Sequence, residues 1–306
     1  MGFRLGGRGG LCSLALAPVA EGTPMALHVS RASLQDWALV RAWAAAEGWN
    51  PGVSDAGAFF AQDPEGFFLG RIDGEPVSAI SVVNYGDDYA FLGFYLVRPD
   101  LRGRGHGLAT WRAALAHAGG RTVGLDGVPA QQDNYRRSGF APAYRTARYV
   151  GEMPLPDRPV TGVVAAERVD PAEIAAYDSA CHPADRPRFL RSWLTAPGHR
   201  ALVRLTGGRP CGYGVVRPAE QEARIGPLFA DTPADAAALL DALAAEARAF
   251  GAPRIAVDMP ESNPAAARLA ESRGLEPTFE TARMYTGPIR PFARERVFGV
   301  TTLELG

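Results

Sequence analysis

The chain has 306 residues, longer than the ~100–200 of one ordinary domain, so two domains of similar size are expected. A hydrophobic share of 47%, a charged share of 21% and a formal net charge of -1 describe a globular chain with no global field to recruit nucleic acid or an anionic membrane. Cys12, Cys181 and Cys211 are too scattered for a disulfide framework or a thiolate metal site, which points to a reducing cytoplasm and no metal, and no apolar run reaches the ~18 residues that span a bilayer.

Arg4 and Arg8 precede an apolar stretch, Leu11 to Ala20, that loosely imitates a signal peptide. Residues 1–24 are read as a disordered or misassigned extension, and the fold is expected to begin at Met25. A strand pattern, Ala26 to Ser30, is followed by Ser33, a good helix N-cap, and by apolar positions Leu34, Trp37, Leu39, Val40 and Trp43 at helical spacing. A short helix, Asp55 to Gln62, comes next. Phe67–Ile72, Val77–Tyr85 and Tyr89–Val97 read as strands, joined by the turns Asp73-Gly74 and Gly86-Asp87-Asp88. Helix 105–118, strand 121–126 and helix 130–138 then follow with short connections, which makes the sheet mixed. The fold class is α+β.

Residues 153–160 are rich in proline, cannot continue a central strand, and read as a linker between a domain 25–152 and a domain 161–306. The second half repeats the first. Gly139, Pro142, Thr146, Ala147 and Arg148 recur 135 positions later as Gly274, Pro277, Thr281, Ala282 and Arg283. A terminal strand is expected over Phe298–Leu305.

Chemistry concentrates in Arg102-Gly103-Arg104-Gly105-His106-Gly107, a glycine-rich loop between a strand and a helix. Unpaired N–H groups and the helix dipole favour an anion there, glycines admit it closely, and Arg102 and Arg104 add charged donors. The Gly-Lys-Ser/Thr of a nucleotide P-loop is absent, and the glycine spacing is not that of a dinucleotide fold.

This loop, preceded by Val97-Arg98-Pro99 and followed by Asn134-Tyr135 ahead of Gly139-Phe140, resembles the GNAT superfamily of acetyl-CoA-dependent acetyltransferases. The resemblance covers two motifs of the first half. Together with Gly48-Trp49-Asn50-Pro51-Gly52 and the duplication, it extends to a bacterial two-domain subgroup. It implies two tandem units, each a mostly antiparallel twisted sheet flanked by helices. Acetyl-CoA would be held by Leu96, Val97, Arg102, Gly103, Arg104, Gly105, His106, Gly107, Asn134 and Tyr135, with no metal. The acceptor would be a primary amine of a small molecule or peptide, attacking directly. Tyr135 is implied as the acid for the departing thiolate, since a phenol of pKa ~10 can donate as charge develops. Asp126 and Glu47 are the candidates for the base, each equally readable as a cap or a solvated carboxylate. His106 more readily touches phosphate. Trp49, Asn50 and Tyr95 are candidates for the acceptor pocket.

The second half lacks the loop. Ala270 stands where the repeat would place Tyr135, and Asp231 at the expected helix start competes for the N–H groups that phosphate would use. One acyl-CoA site is therefore expected. The second copy is read as degenerate, closing the acceptor pocket or stabilising the pair of domains, with Arg283-Met284-Tyr285 and the terminal strand Phe298–Leu305 as further candidate contacts, each equally readable as ordinary sheet residues. The alternatives are a non-catalytic acyl-CoA sensor and a tandem enzyme of thiol-metabolite or aminoacyl transfer. A homodimer stays open.

Overall fold

The structure, a computed structural model, describes residues 26–154 and 160–306. The extension read over residues 1–24 and the core of the expected linker, 155–159, lie outside the described residues. The first half runs β1 (His28–Arg31), α1 (Trp37–Ala46), α2 (Asp55–Gln62), β2 (Phe67–Ile72), β3 (Glu75–Tyr85), β4 (Tyr89–Val97), α3 (His106–Leu115), β5 (Thr122–Gly127), α4 (Gln132–Arg137) and β6 (Ala141–Glu152). The same order returns as β7 (Val163–Ala165), α5 (Pro171–Cys181), α6 (Pro187–Thr195), β8 (Arg200–Thr206), β9 (Arg209–Arg217), β10 (Ala223–Ala230), α7 (Pro233–Ala249), β11 (Arg254–Pro260), α8 (Pro264–Ser272) and β12 (Glu276–Tyr285). A short β13 (Val297–Gly299) follows.

Ser33 does not cap α1 itself. Its hydroxyl accepts from the Asp36 N–H at 3.2 Å while the Asp36 carboxylate accepts from the Ser33 N–H at 2.8 Å, a reciprocal box that closes a turn before the helix begins at Trp37. The helix expected over 130–138 opens as a 3-10 turn at Pro129–Gln131, and only Gln132–Arg137 is α-helical.

The thirteen strands of the described residues form one sheet, ordered β1-β2-β3-β4-β5-β12-β6-β11-β10-β9-β8-β7, with β13 against β10. Among the described residues only β4·β5 and β10·β11 pair in parallel. The halves exchange their last long strands: β12 of the second half lies between β5 and β6, and β6 of the first half lies between β12 and β11. The repeated segments thus pair with each other, antiparallel, with Thr146 directly opposite Thr281. That register is a local two-fold between the copies. It explains why Arg148 bonds Asp258 across the halves while the equivalent Arg283 bonds Asp126 in the other direction.

Alternation along β4 sends Tyr89 and Phe91 to one face and Ala90 and Leu92 to the other. On the first face α1, α2, α5 and α6 share one core, in which Phe59 stacks on Phe189 at 6.5 Å and on Trp193 at 6.1 Å. On the second face the cores stay separate, one under α3 and α4 and one under α7 and α8. Among the described residues no helix is long and apolar enough to cross a membrane.

The expected terminal strand Phe298–Leu305 is shorter than the sequence suggests. β13 pairs with β10 at Gly299 and Val297, the Val300 N–H then donates to the Asp258 carbonyl, and the chain leaves the sheet edge. Residues 300–306 continue, buried, toward β4.

Candidate active site

The parallel pairing of β4 with β5 runs from Tyr89↔Thr122 to Leu92↔Leu125 and stops. Past it, β4 bulges: the β3–β4 register slips between Ala79 and Ser81, and Phe94 adopts a left-handed φ of 47°. The two strands separate here. The gap is a cavity of about 460 Å³ that reaches from the glycine-rich loop to the interface with the second half.

At its loop end, Gly105 caps α3 with φ 84° and Gly103 has φ 76°; neither would meet an atom within 4 Å of an added Cβ. No side chain caps α3, and its first turn holds no acid. The N–H groups of that turn therefore have no side-chain competitor for an anion. Gly107 answers a different constraint, since a Cβ there would lie 2.6 Å from the Tyr95 hydroxyl and 2.9 Å from Val97 Cγ2. Arg102 Nε donates to the Val97 carbonyl at 3.0 Å, and its guanidinium pairs with Glu47. These features fit a pyrophosphate: an open cradle, a bare helix start and an arginine tethered at the rim.

Tyr135 on α4 is buried and lines the same cavity. Its ring stacks on Trp111 of α3 at 5.7 Å, and Trp111 in turn meets Tyr95 edge-on at 5.2 Å and Phe140 at 5.9 Å. Burial pushes the Tyr135 phenol above its ordinary value, with Tyr95 adding to the rise, so it stays protonated through the working pH range.

The structure brings Glu47, Trp49, Tyr95, Leu96, Val97, Arg102, Gly103, Gly105, His106, Gly107, Asp126 and Tyr135 to one cavity. It leaves out six of the residues singled out in the sequence: Asn50, Arg104, Asn134, Arg283, Met284 and Tyr285. Asn50 is buried with φ 49° and turned to the second half, donating to the Glu222 carbonyl at 3.2 Å and accepting from the Gln221 N–H at 3.1 Å. Asn134 is exposed on α4 and donates to Gln131. Arg104 is exposed and lies outside the lining. Asp126 reaches the cavity, but both its oxygens accept from Arg283, at 2.9 and 2.7 Å. Burial raises its carboxyl, and Arg283 opposes the rise.

The lining also holds Arg148, Phe279, Thr281, Leu303 and Glu304; Arg148 and Thr281 stood out in the sequence only as repeat identities, Leu303 and Glu304 only within the terminal strand expected to offer acceptor contacts, and Phe279 not at all. All but Arg148 come from the second half. Phe279 and Thr281 arrive because β12 is exchanged into the first half. Leu303 and Glu304 arrive because residues 300–306 cross over: Tyr85 Oη donates to the Leu305 carbonyl at 3.0 Å, and a Cβ on Gly93 would overlap the Glu304 carbonyl.

In the second half, α7 follows β10 after Asp231 and Thr232. Asp231 does not cap it, because its carboxylate accepts from Tyr177 at 2.8 Å and pairs with Arg296 at 3.2 Å. Thr232 is the cap, its hydroxyl accepting from the Asp235 N–H at 3.2 Å.

Comparison with known proteins agrees with this architecture. Residues 34–140 match the Acetyltransferase (GNAT) family model and residues 174–299 a second Acetyltransferase (GNAT) domain model. The holothin acyltransferase of Pseudoalteromonas sp. (strain SANK 73390) is 36% identical over 283 residues, covering 90% of this chain and 93% of that protein. A crystal structure from Pyrococcus horikoshii, assigned to the acetyltransferases, superposes with a TM-score of 0.77 at 25% identity over 92% of this chain and 96% of that one. A tandem GNAT protein from the clavulanic acid biosynthesis pathway shares the fold, with a TM-score of 0.61 at 17% identity over 86% of this chain and 99% of that one. A GNAT model matched in each half, and a relative matched almost end to end, place this chain in the GNAT family, as a tandem acyltransferase.

Proposed function

We propose that this acyltransferase moves an acetyl group from acetyl-CoA to a primary amine, using a single site carried by residues 25–152 and completed on the acceptor side by residues 161–306. The observation that carries the reading is the continuous cavity that joins the bare start of α3 to Tyr135 and then to side chains of the second half. A pure binding module needs the loop but not the remainder.

Bound acetyl-CoA supplies the thioester. The chain's contribution is to hold and to move protons. The N–H groups of the first turn of α3, with Arg102 and Arg104, hold the pyrophosphate. Leu96 and Val97, on the stretch of β4 without a β5 partner, line the path beyond it. Tyr135 Oη donates its proton to the leaving sulfur, the step that a phenol kept protonated by burial can make. Trp49 and Phe279 give the acceptor end an aromatic wall, while Tyr95, its ring on Trp111 and its hydroxyl beside Gly107, flanks the loop.

Calorimetric titration of acetyl-CoA into the wild type and into an Arg102→Ala, Arg104→Ala double variant tests the reading. One site per chain, weakened at least tenfold in the variant, is expected, followed by thiol release with members of a primary-amine library. Holothin, named by the 36% identical relative, belongs in that library. Two sites per chain would overturn the single-site reading, and no binding would overturn the acyltransferase site itself.

A further inference from the structure

Three carboxylates line the cavity: Glu47, Asp126 and Glu304. Two are already committed to guanidinium groups. Glu47 pairs with Arg102 at the loop, and Asp126 is held through both oxygens by Arg283. The Asp126 pair is also architectural, because the same pair recurs across the local two-fold as Asp258 with Arg148. Glu304 differs on both counts. It has no two-fold counterpart, and among the described residues its carboxylate takes part in no ion pair and accepts no hydrogen bond. Only its backbone is engaged: its N–H donates to Thr302 Oγ1 at 3.2 Å, and its carbonyl packs on Gly93. A carboxylate that is 4% exposed, opens only onto the cavity and makes neither hydrogen bond nor ion pair is costly to keep ionised.

We propose that Glu304 is the proton acceptor for the acceptor amine, reaching the first half's site from the last residues of the second half; this deepens the acetyltransferase reading above and rests on it. In the step, one proton passes from the ammonium nitrogen of the acceptor to a Glu304 Oε atom. The ammonium becomes a neutral amine with a free lone pair, the carboxylate becomes a carboxylic acid, and the proton leaves to solvent through the cavity mouth once the product has gone. Before transfer, the carboxylate and the ammonium form an ion pair that the empty carboxylate lacks.

The surroundings suit that task. Burial raises the Glu304 carboxyl, Arg224 on β10 and Arg148 on β6 oppose the rise, and Asp258 on β11 and Asp55 on α2 add to it. Asp258 holds both arginines, and Asp55 is held by Arg217 at 2.9 Å. Arg224 keeps Nε and Nη1 buried without a partner, so positive charge remains for an ionised Glu304. Tyr95, Tyr135, Asp126, His106 and the Glu47–Arg102 pair are the other titratable groups of the cavity. A base raised toward neutrality but kept ionisable is what abstraction from an ammonium requires.

The test has two arms. In the first, protein labelled with ¹³C at the glutamate carboxyl is titrated by NMR, with Glu304→Gln identifying the signal and 2-phenylethylamine as the ammonium probe. The Glu304 signal is expected to titrate above the ordinary carboxylate range and to shift when the probe is added. Titration in the ordinary range, or indifference to the probe, overturns the proposal. In the second arm, kcat/KM is followed against pH with acetyl-CoA and the fastest amine of the library. Glu304→Gln is expected to bind acetyl-CoA within twofold of the wild type, to lose about 100-fold in kcat near neutral pH and to lose the acidic limb of the profile, with Glu304→Asp restoring part of both. An acidic limb that persists in Glu304→Gln but vanishes in Glu47→Gln or Asp126→Asn overturns it. Failure of the wild type to bind acetyl-CoA overturns the underlying site, and the NMR arm still decides the character of Glu304.

Discussion

The two halves open the same gap and treat it oppositely. In the first half, β4 and β5 part after Leu92 and the space remains a cavity; in the second, β10 and β11 part after Ile225 and β13 fills it, with the Val300 carbonyl 2.6 Å from where a Cβ on Gly226 would stand. One stretch of chain does both jobs. Residues 297–301 plug the second gap, and residues 303–306 continue to wall the first without filling it. The helix starts match this division: α3 opens on a bare glycine, whereas α7 is closed by Thr232. A duplicated fold needs only one working site if the other copy's gap is spent on anchoring the segment that completes it.

The sharpest way to break the comparison is at the equivalent aspartates. Asp258→Ala strands two buried arginines, Arg148 and Arg224, and is expected to cost about 3–5 kcal/mol by urea unfolding. Asp126→Ala strands only Arg283 and should cost less. An Asp126 variant that keeps full stability but loses all turnover would mean that Asp126 is chemical rather than architectural.

Next in size is Tyr135→Phe, expected to lower kcat about 100-fold while acetyl-CoA affinity holds, since it removes a proton donor and little packing. A loss in affinity without a loss in kcat would assign Tyr135 to binding. The equivalent position in the second half, Ala270, is buried in the core beneath α8, so a substitution there should affect stability alone.

Gly93→Ala and Gly226→Ala place a methyl group on the same segment at its two ends, against Glu304 and against Thr301 and Val300. Each is expected to cost about 1–3 kcal/mol of stability, because backbone rather than a flexible side chain must move. Only Gly93→Ala should also reduce turnover, by displacing Glu304. Equal loss of activity in both would show that the whole segment, rather than its far end, serves the site.

The last expected effect, confined to low pH, is on acid stability. Burial works to raise the Asp258 carboxyl, but Arg148 and Arg224 outweigh it and hold the group at about 2, below its ordinary 3.8. Its stabilisation is therefore complete above pH 3.8 and fades as pH falls toward 2, a loss of about 2 kcal/mol readable by urea unfolding between those limits. Glu304 runs the other way. Its raised carboxyl contributes stability below its ordinary 4.5 that is lost as pH rises through the higher folded value, so Glu304→Gln should flatten the neutral side of the stability profile. A Glu304→Gln protein that melts lower than the wild type at every pH would give the side chain a structural role.

Local signals made much of this protein legible. Short apolar runs placed β2 and β4, and an apolar helical segment placed α2, at their observed ends, because each stops at turn residues. The glycine-rich loop and Tyr135 were readable because their chemistry is carried by residues close in sequence, at the start of one helix and within one turn of another. The repeat, too, stood in the sequence as five identities at constant offset. What the sequence could not convey was how the copies join. Exchange of β6 and β12 sets each strand between neighbours from both halves, and no residue type in the repeated segments marks that pairing in the sequence. That choice turned Asp126 from a free carboxylate into the partner of Arg283. It also brought Phe279 to the cavity, while the crossing of residues 300–306 carried Glu304 some 200 positions along the chain to a strand it does not resemble. Contacts of that separation are set by the packing of whole sheets, and only the tertiary structure decides them.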